Sequence, residues 1–395
     1  MLYDAIIAGL GPAGATVSYE LAKKGLNVLA FDKEKFPRYK VCGGCISLKA
    51  KQILPFDFDE IVEEKIYGAV FTYKSKRPVS IISKQVIGYN INREKFDNLL
   101  KEKAKGAGAV IKEGVRVTGA EECSEHVVIK TSDGFFKAKV LVAADGANSI
   151  ISKNLLKLDS AEYAVAVEAE IPVEKERLSR LKERIFIDFG CVPYGYAWVF
   201  PKSNSLSVGI AALSKKVNGK IKEYFREFAH KEKILMGIDI AKMYGWTIPY
   251  FNAAQKIAKG RILAVGDAAD LVDPFLGEGI YYAIKSGQLA AQVISAKIGD
   301  EKIELEDYNR IVEAEIHPEL EAAGKVGNLA YKYPRLWYRI LESEPALMEK
   351  YYSVIRGEGS YKEFYETVMS KIKKRPWRLI TRLIKGHLTS QDLRG

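Results

Sequence analysis

The sequence predicts an α/β protein: a parallel sheet with helical crossovers, an antiparallel β-sheet unit inserted into it, and a helical C-terminal region. Three observations carry this reading. The chain begins strand, glycine turn, helix, strand, and the buried parallel-strand style returns at "RILAVGDAAD", from residue 261. Residues 160 to 215 are mostly alternating and aromatic, as a half-buried antiparallel sheet requires. From Gly277 onward the pattern is largely helical.

At the N-terminus "YDAIIA" is a β-rich run, "GLGPAG" a turn, and "ATVSYELAKK" carries helical periodicity that stops at Gly25, a C-cap position. "LNVLAF" is the next strand and leads into Asp32. That order makes a βαβ unit, because parallel neighbours need a crossover. "AVFTYKSKRPVSIIS" is β-rich, and "REKFDNLLKEKAK" is an amphipathic helix with Phe96, Leu99 and Leu100 on one side. "AVIKEGVRVTGAEEC" is strand-like, and "HVVIKTSDGFFKAKVLVAA" reads as a hairpin turning at Asp133-Gly134.

Composition narrows the class. At 395 residues the chain is too long for one simple core and predicts two or three subdomains. A hydrophobic content of 48% excludes a disordered chain. No apolar run reaches about 18 residues, so no spanning helix is expected. A β-type run begins at Tyr3, where a signal peptide would lie, and the reading is of an intracellular protein. A net charge of +11 is compatible with nucleic acid, an anionic membrane surface or a phosphorylated substrate. Cys42, Cys45, Cys123 and Cys191 are too few for a disulfide scaffold. His126, His230, His317 and His387 lack metal-ligand spacing, and one CxxC cannot fill a four-ligand zinc site, so no metal is expected. Scarce Gln beside abundant Lys and Glu points to a thermophile.

The chemistry begins with Gly9, Gly11 and Gly14, a GxGxxG that includes Ala13. The first glycine makes the tight turn, the second admits a pyrophosphate to the backbone, and the third lets helix and strand pack closely. The helix N-terminus offers free N–H groups and a positive dipole. Asp32, ending the second strand, is placed to bind ribose hydroxyls. Two distant segments specify the dinucleotide. "AADGANS" carries Asp145, Gly146 and Ser149, and "AVGDAADLVDPFLGEGI" carries Gly266, Asp267, Pro274, Gly277, Gly279 and Ile280. Together the three motifs resemble the FAD-binding pattern of the para-hydroxybenzoate hydroxylase-like flavoproteins. The resemblance implies an FAD-binding Rossmann-like domain, non-covalent FAD, and Asp267 facing the ribityl and pyrophosphate region. It implies a helix after Gly277 aimed at the flavin, where its positive end stabilises an anionic reduced ring. It also implies Arg93 near FAD and the Val117 backbone beside adenine. Related flavoproteins carry an arginine soon after DGxxS; "DGANSIISK" does not, and that role is not transferred.

"PRYKVCGG" resembles the PxxKxCGG-like segment of the geranylgeranyl reductase family. "YGYAWVFPK" resembles that family's YxWxFPK substrate-pocket motif, with Tyr196, Trp198, Phe200, Pro201 and Lys202 in register. This resemblance implies an FAD-dependent oxidoreductase that saturates isoprenoid C=C bonds of geranylgeranyl chains, in membrane ether lipids or prenyl diphosphates. Cys42 is then the candidate catalytic residue beside the flavin, with Gly43 admitting the isoalloxazine edge. Cys45 stands where many relatives have glycine, which leaves cofactor contact, a Cys42–Cys45 redox pair and inert packing open. Strand alternation puts Tyr194, Tyr196, Trp198 and Phe200 on one face, next to Pro201. Their rings can stabilise positive charge on a protonated alkene. No second GxGxxG is present, so a transient electron donor is expected: NADPH, a ferredoxin or a reduced deazaflavin. The rival readings are an FAD monooxygenase or halogenase, a redox-neutral prenyl cyclase, and a non-catalytic lipid or nucleic-acid binder. Intact FAD motifs argue against the binder, and no nucleic-acid partner is expected.

The domain reading is discontinuous. Residues 1–70, 93–160 and 255–300 form the FAD domain, 71–92 and 161–254 the substrate sheet, and 301–395 the helical region. "KKRPWRLITRLIKGHL", residues 373–388, has one apolar and one basic face. It predicts either a helix docked on the core or contact with the inner face of the membrane, giving a cytoplasmic protein peripheral to the bilayer.

Overall fold

The computed structural model describes residues 1–158, 162–300 and 302–374. The expected amphipathic segment lies, from residue 375, outside the described residues.

Val28–Asp32 is buried throughout, and Leu2–Ala8 and Gly134–Ala143 become fully apolar and buried over their last four residues. Ala5, Ile6, Ile7, Leu29, Ala30 and Leu141 are fully buried, as in a parallel sheet covered on both sides. Among the described residues the strand order is Ala258–Lys259, Ile262–Ala264, Gly134–Ala143, Leu2–Ala8, Val28–Asp32, Val110–Glu113. From Ile262–Ala264 to Val110–Glu113 every pairing is parallel. Register aligns the strand ends: Ala8 pairs with Ala143 and Phe31, and Ala143 with Ala264. These ends form one row, and Gly9, Asp32, Ala144–Asp145 and Val265–Asp267 leave the sheet along the same edge. That is how motifs far apart in sequence converge.

The helix Pro12–Lys23 ends as expected, with the Gly25 N–H bonded back to the Ala22 carbonyl at 2.9 Å. The hairpin joins Val127–Thr131 to Gly134–Ala143, with Thr131 opposite Gly134. The helix Arg93–Gly106 buries Phe96 and Leu100.

The large sheet runs Tyr244–Pro249, Tyr163–Pro172, Ser205–Leu213, Gly195–Pro201, Arg184–Phe189, Gly68–Tyr73, Lys76–Ile82. It departs from the expected all-antiparallel pattern at one pair: Arg184–Phe189 lies parallel to Gly68–Tyr73. Those strands are joined through the nucleotide half rather than by a hairpin, and a long connection permits parallel pairing. Two boundaries also differ from the expected ones. The large sheet begins at Gly68, not at residue 71. Gly88–Ile91 pairs with Cys45–Ser47 and Val62–Ile66 in a separate three-stranded sheet, because Tyr89 and Ile91 bury into the nucleotide-half core.

Strand Gly195–Pro201 has two apolar faces. Ala197 and Val199 pack with Val208, Ile210, Phe225 and Phe228, the last two from the helix Ile221–Lys231. Tyr196, Trp198 and Phe200 point the other way. Trp198 lies over Gly209, where a Cβ would sit 2.0 Å from the indole. Tyr194 does not join them. The strand starts one residue later, Tyr194 has φ +51°, and Lys216 Nζ covers its ring at 4.6 Å. Alternation holds only while the backbone is extended, and it ends at Gly195.

Helices His317–Lys332, Pro334–Ser343, Ala346–Arg356 and Tyr361–Lys374 pack around Phe71, Phe189, Phe275, Trp337 and Tyr351. Among the described residues no helix is long and apolar enough to cross a membrane.

Candidate functional site

The common edge of the parallel sheet opens on a cavity of about 820 Å³. The nucleotide half contributes Gly9, Gly11, Ala13, Asp32, Val117, Asp145 and Gly146, with Asp267, Gly277, Gly279 and Ile280 from the third motif. Arg93 and the Cys42, Gly43, Cys45 loop add to this wall, and Tyr196, Trp198 and Phe200 face it from the large sheet. Three expected residues lie outside the lining. A Cβ on Gly14 would sit 1.9 Å from the Gly9 carbonyl oxygen, so Gly14 serves helix–strand packing. Pro201 is buried and accepts a bond from Asn90 Nδ2 at 2.7 Å through its carbonyl. Tyr194 lies in the turn before the strand, with its left-handed backbone.

The cavity wall fits a dinucleotide. At Gly9, φ is +103° and a Cβ would lie 2.3 Å from the Ala144 carbonyl, so two strand ends meet without side chains between them. The helices Pro12–Lys23 and Ile280–Gly299 both start at glycines and carry no side-chain cap, which leaves N–H groups for anionic atoms. Asp32 Oδ2 accepts the Leu10 N–H at 2.8 Å and Oδ1 the Glu34 N–H at 2.9 Å, fixing the glycine turn. Asp145 Oδ2 accepts the Ile150 N–H at 3.2 Å, while its buried Oδ1 has no partner. Burial pushes this carboxyl up, and an orphan acceptor beside the glycine turn suits a ligand hydroxyl or amide. Ser152 Oγ donates to the Ala268 carbonyl at 2.7 Å and ties the second motif to the third.

Arg93 is buried and grips Asp97 in a fork, Nε to Oδ1 at 2.9 Å and Nη2 to Oδ2 at 3.0 Å. Arg38 reaches the same carboxylate at 3.2 Å. Burial opposes the Arg93 charge, yet Asp97 and Cys42 together hold it above its usual value. Both cysteines of the loop are free thiols. Cys42 Sγ accepts the Gly44 N–H at 3.4 Å. Burial, with Glu278 and Cys42 nearby, pushes the Cys45 thiol up to about 12, so it stays protonated at neutral pH. A Cβ on Gly43 would lie 2.7 Å from the Phe200 ring, so only glycine lets the loop press on the aromatic wall.

Sequence reasoning missed four charged groups here. Lys40 Nζ sits 3.7 Å over the Trp246 ring, and burial pulls it down to about 8 against the opposing Asp267. Lys40 falls inside "PRYKVCGG", so the signal was present and unread. Lys49 is buried with its Nζ 2.7 Å from Glu278 Oε2 and 4.4 Å from the Tyr281 ring. Glu278 stands between Gly277 and Gly279 and lines the cavity. Glu168 has no local pattern that marks it, and it bonds the Cys42 backbone. Among the described residues no three His, Cys, Asp or Glu side chains gather as a metal site.

The FAD binding domain family matches residues 69–310, and the chain is an FAD-dependent flavoprotein of the para-hydroxybenzoate hydroxylase fold. Relatives narrow this. A digeranylgeranylglycerophospholipid reductase of Thermoplasma volcanium is 31% identical over 342 residues, 78% of this chain and 80% of that one. The chloroplastic geranylgeranyl diphosphate reductase of Oryza sativa subsp. japonica is 30% identical over 73% of this chain and 66% of its own length. An uncharacterised protein of Methanosarcina barkeri is 34% identical over 90% of each chain. Among solved structures, a geranylgeranyl bacteriochlorophyll reductase-like protein from Thermoplasma acidophilum superposes with a TM-score of 0.77 at 22% identity, covering 97% of this chain and 99% of that one. A flavin-dependent brominase shares the fold, with a TM-score of 0.72 at 19% identity over 95% of this chain and 100% of the other. The chain belongs to the geranylgeranyl reductase family and is an FAD-dependent oxidoreductase.

Proposed function

We propose that this protein saturates isoprenoid C=C bonds of geranylgeranyl chains carried by membrane ether lipids or prenyl diphosphates. The observation that carries the reading is the Cys42–Gly43 loop pressed against Trp198 and Phe200 inside the FAD cavity. An isolated alkene has no carbonyl to polarise it, so reduction needs a proton on one carbon and hydride on the more substituted one. When bound, FAD supplies the hydride. The chain's own residues do the rest. Uncapped helix N-termini and the glycine edge hold the cofactor. Tyr196, Trp198 and Phe200 exclude water and offer ring faces to positive charge, each worth ~2 kcal/mol when desolvated. Cys42 sits in the loop between these two walls, where its thiol meets the reacting carbon. In this reading the electron donor is NADPH, a ferredoxin or a reduced deazaflavin that binds transiently, and the substrate is collected at the inner face of the membrane.

The test is mass spectrometry of lipids after co-expression with a prenyl-ether lipid pathway. The expected result is a gain of two hydrogens per reduced bond, with turnover persisting under anaerobic conditions. Unchanged lipids, or a product that requires oxygen, would refute the reading and favour the oxygenase or halogenase chemistry of the same fold.

A further inference from the structure

Glu168 lies in strand Tyr163–Pro172, two residues from Ala166, which lines the cavity from the same face. It is 1% exposed, yet among the described residues no cation pairs with it. Lys202, the nearest candidate, is bonded to Glu170 at 2.7 Å. The carboxylate is instead satisfied by three hydrogen bonds with a common theme. Its Oε2 accepts the Cys42 N–H at 3.2 Å and the Tyr39 hydroxyl at 3.0 Å, both from the cysteine loop. Its Oε1 accepts the Ser207 hydroxyl at 3.0 Å, and Ser207 Oγ in turn accepts the Trp198 indole N–H at 3.3 Å. One carboxylate thus joins the loop that carries Cys42 to the ring at the centre of the aromatic wall. Tyr39 adds a second hold, its ring packed on Tyr244 at 4.5 Å between centroids.

A buried carboxylate without a cation costs stability that an apolar residue would not. Burial raises the Glu168 carboxyl accordingly, with Glu170 adding to the rise and Tyr39, Lys202 and Ser207 opposing it. The role of so costly a group is best sought in what it holds.

We propose that Glu168 is the positioning residue of this site, fixing the gap between the Cys42 loop and the Trp198 face and so the alignment of the double bond that enters it. The alignment half of this statement rests on the reductase reading; the loop-holding half does not.

The experiment uses FAD-loaded, full-length protein and the variants Glu168→Ala, Glu168→Gln and Tyr39→Phe. Two readouts are taken: peptide-resolved alkylation of Cys42 by iodoacetamide, and steady-state kinetics with geranylgeranyl diphosphate and dithionite. Glu168→Ala is expected to speed Cys42 alkylation about tenfold and to lower kcat/KM about tenfold, the loss of charge-assisted hydrogen bonds, with flavin content unchanged. Glu168→Gln keeps an acceptor for the Cys42 N–H and the Tyr39 hydroxyl, and should recover both readouts to within about threefold. Tyr39→Phe removes one loop bond and should accelerate alkylation about threefold, which decides the matter if the alanine variant does not fold. Unchanged alkylation in Glu168→Ala and Tyr39→Phe would overturn the proposal. So would a glutamine variant as impaired as alanine with equal loss of flavin. If the wild-type protein leaves the prenyl probe untouched, the reductase reading fails while the alkylation series still decides the role of Glu168.

Discussion

Where the nucleotide wall of the cavity turns and packs, the chain relies on bare glycines, whereas on the large-sheet wall it supplies some of its bulkiest rings. Gly9 and Gly14 are close enough to neighbouring backbone that a single added carbon would lie within 2.3 Å and 1.9 Å of a carbonyl oxygen. Tyr196, Trp198 and Phe200 meet other rings at centroid separations of 5.9 Å for Tyr196–Trp198 and 6.2 Å for Trp198–Phe200. The difference concerns what can yield. Backbone against backbone has no rotamer to change, while a ring against a ring can tilt. The cofactor wall should therefore fail abruptly under substitution and the substrate wall gradually.

The largest expected effect is at Gly14, which lies behind the nucleotide wall and packs its helix on the strand. Gly14→Ala should cost about 3 kcal/mol, read as a lower urea midpoint together with lost flavin. A folded variant with full FAD content would mean that the two walls do not differ in this way. Asp273 tests the layer beside both walls. It is 2% exposed, holds the Phe275 N–H at 2.6 Å and the Tyr361 hydroxyl, and burial pushes it up to about 6 from the usual 3.8. Glu278 adds to that rise and Lys49 opposes it. The folded state therefore binds more protons than the unfolded chain between about pH 4 and 6. The Asp273 contribution is fully present below that window and is lost as pH rises through it. Asp273→Asn should remove a fall on the order of 2 kcal/mol between pH 4 and 7 in denaturation profiles. Profiles parallel to wild type would sink this. At Gly209 the added carbon meets a movable ring. Gly209→Ala should cost ~1 kcal/mol, shift the tryptophan fluorescence and slow turnover of a prenyl substrate, with FAD retained. Equal loss of FAD and turnover would show that the walls move together. The smallest effect is expected at Tyr194, outside the cavity. Tyr194→Ala should change kcat/KM by less than about twofold, the scale of a surface change. A tenfold fall would restore it to the substrate wall.

The same contrast separates the residues legible in the sequence from those that were not. Glycines that permit a close approach and an acid that ends a strand are local signals, and Gly9 and Asp32 were legible as cavity-lining positions for that reason. The aromatic face was legible through alternation, which then overran by one pair at Tyr194, because nothing local announces that Gly195 is the first extended residue. The parallel pairing of Arg184–Phe189 with Gly68–Tyr73 depends on a connection through the other half of the chain. Glu168 was not legible. The loop it serves lies more than a hundred residues earlier, and a glutamate in an alternating strand looks like an ordinary solvent-facing position until the partner loop covers it.

Trp198 seated over Gly209 has a consequence for how this cavity could change over generations. The indole needs the absence of a side chain beneath it, and the bare glycine needs the indole to close the space above. A smaller ring alone would leave a void, and a larger residue at 209 alone would tilt the ring out of place; each single step passes through a less stable intermediate. The two positions are inherited as a pair. Exchanging both at once, with phenylalanine above alanine, is the short route to a reshaped pocket, and such neighbours show non-additive energies in a double-mutant cycle.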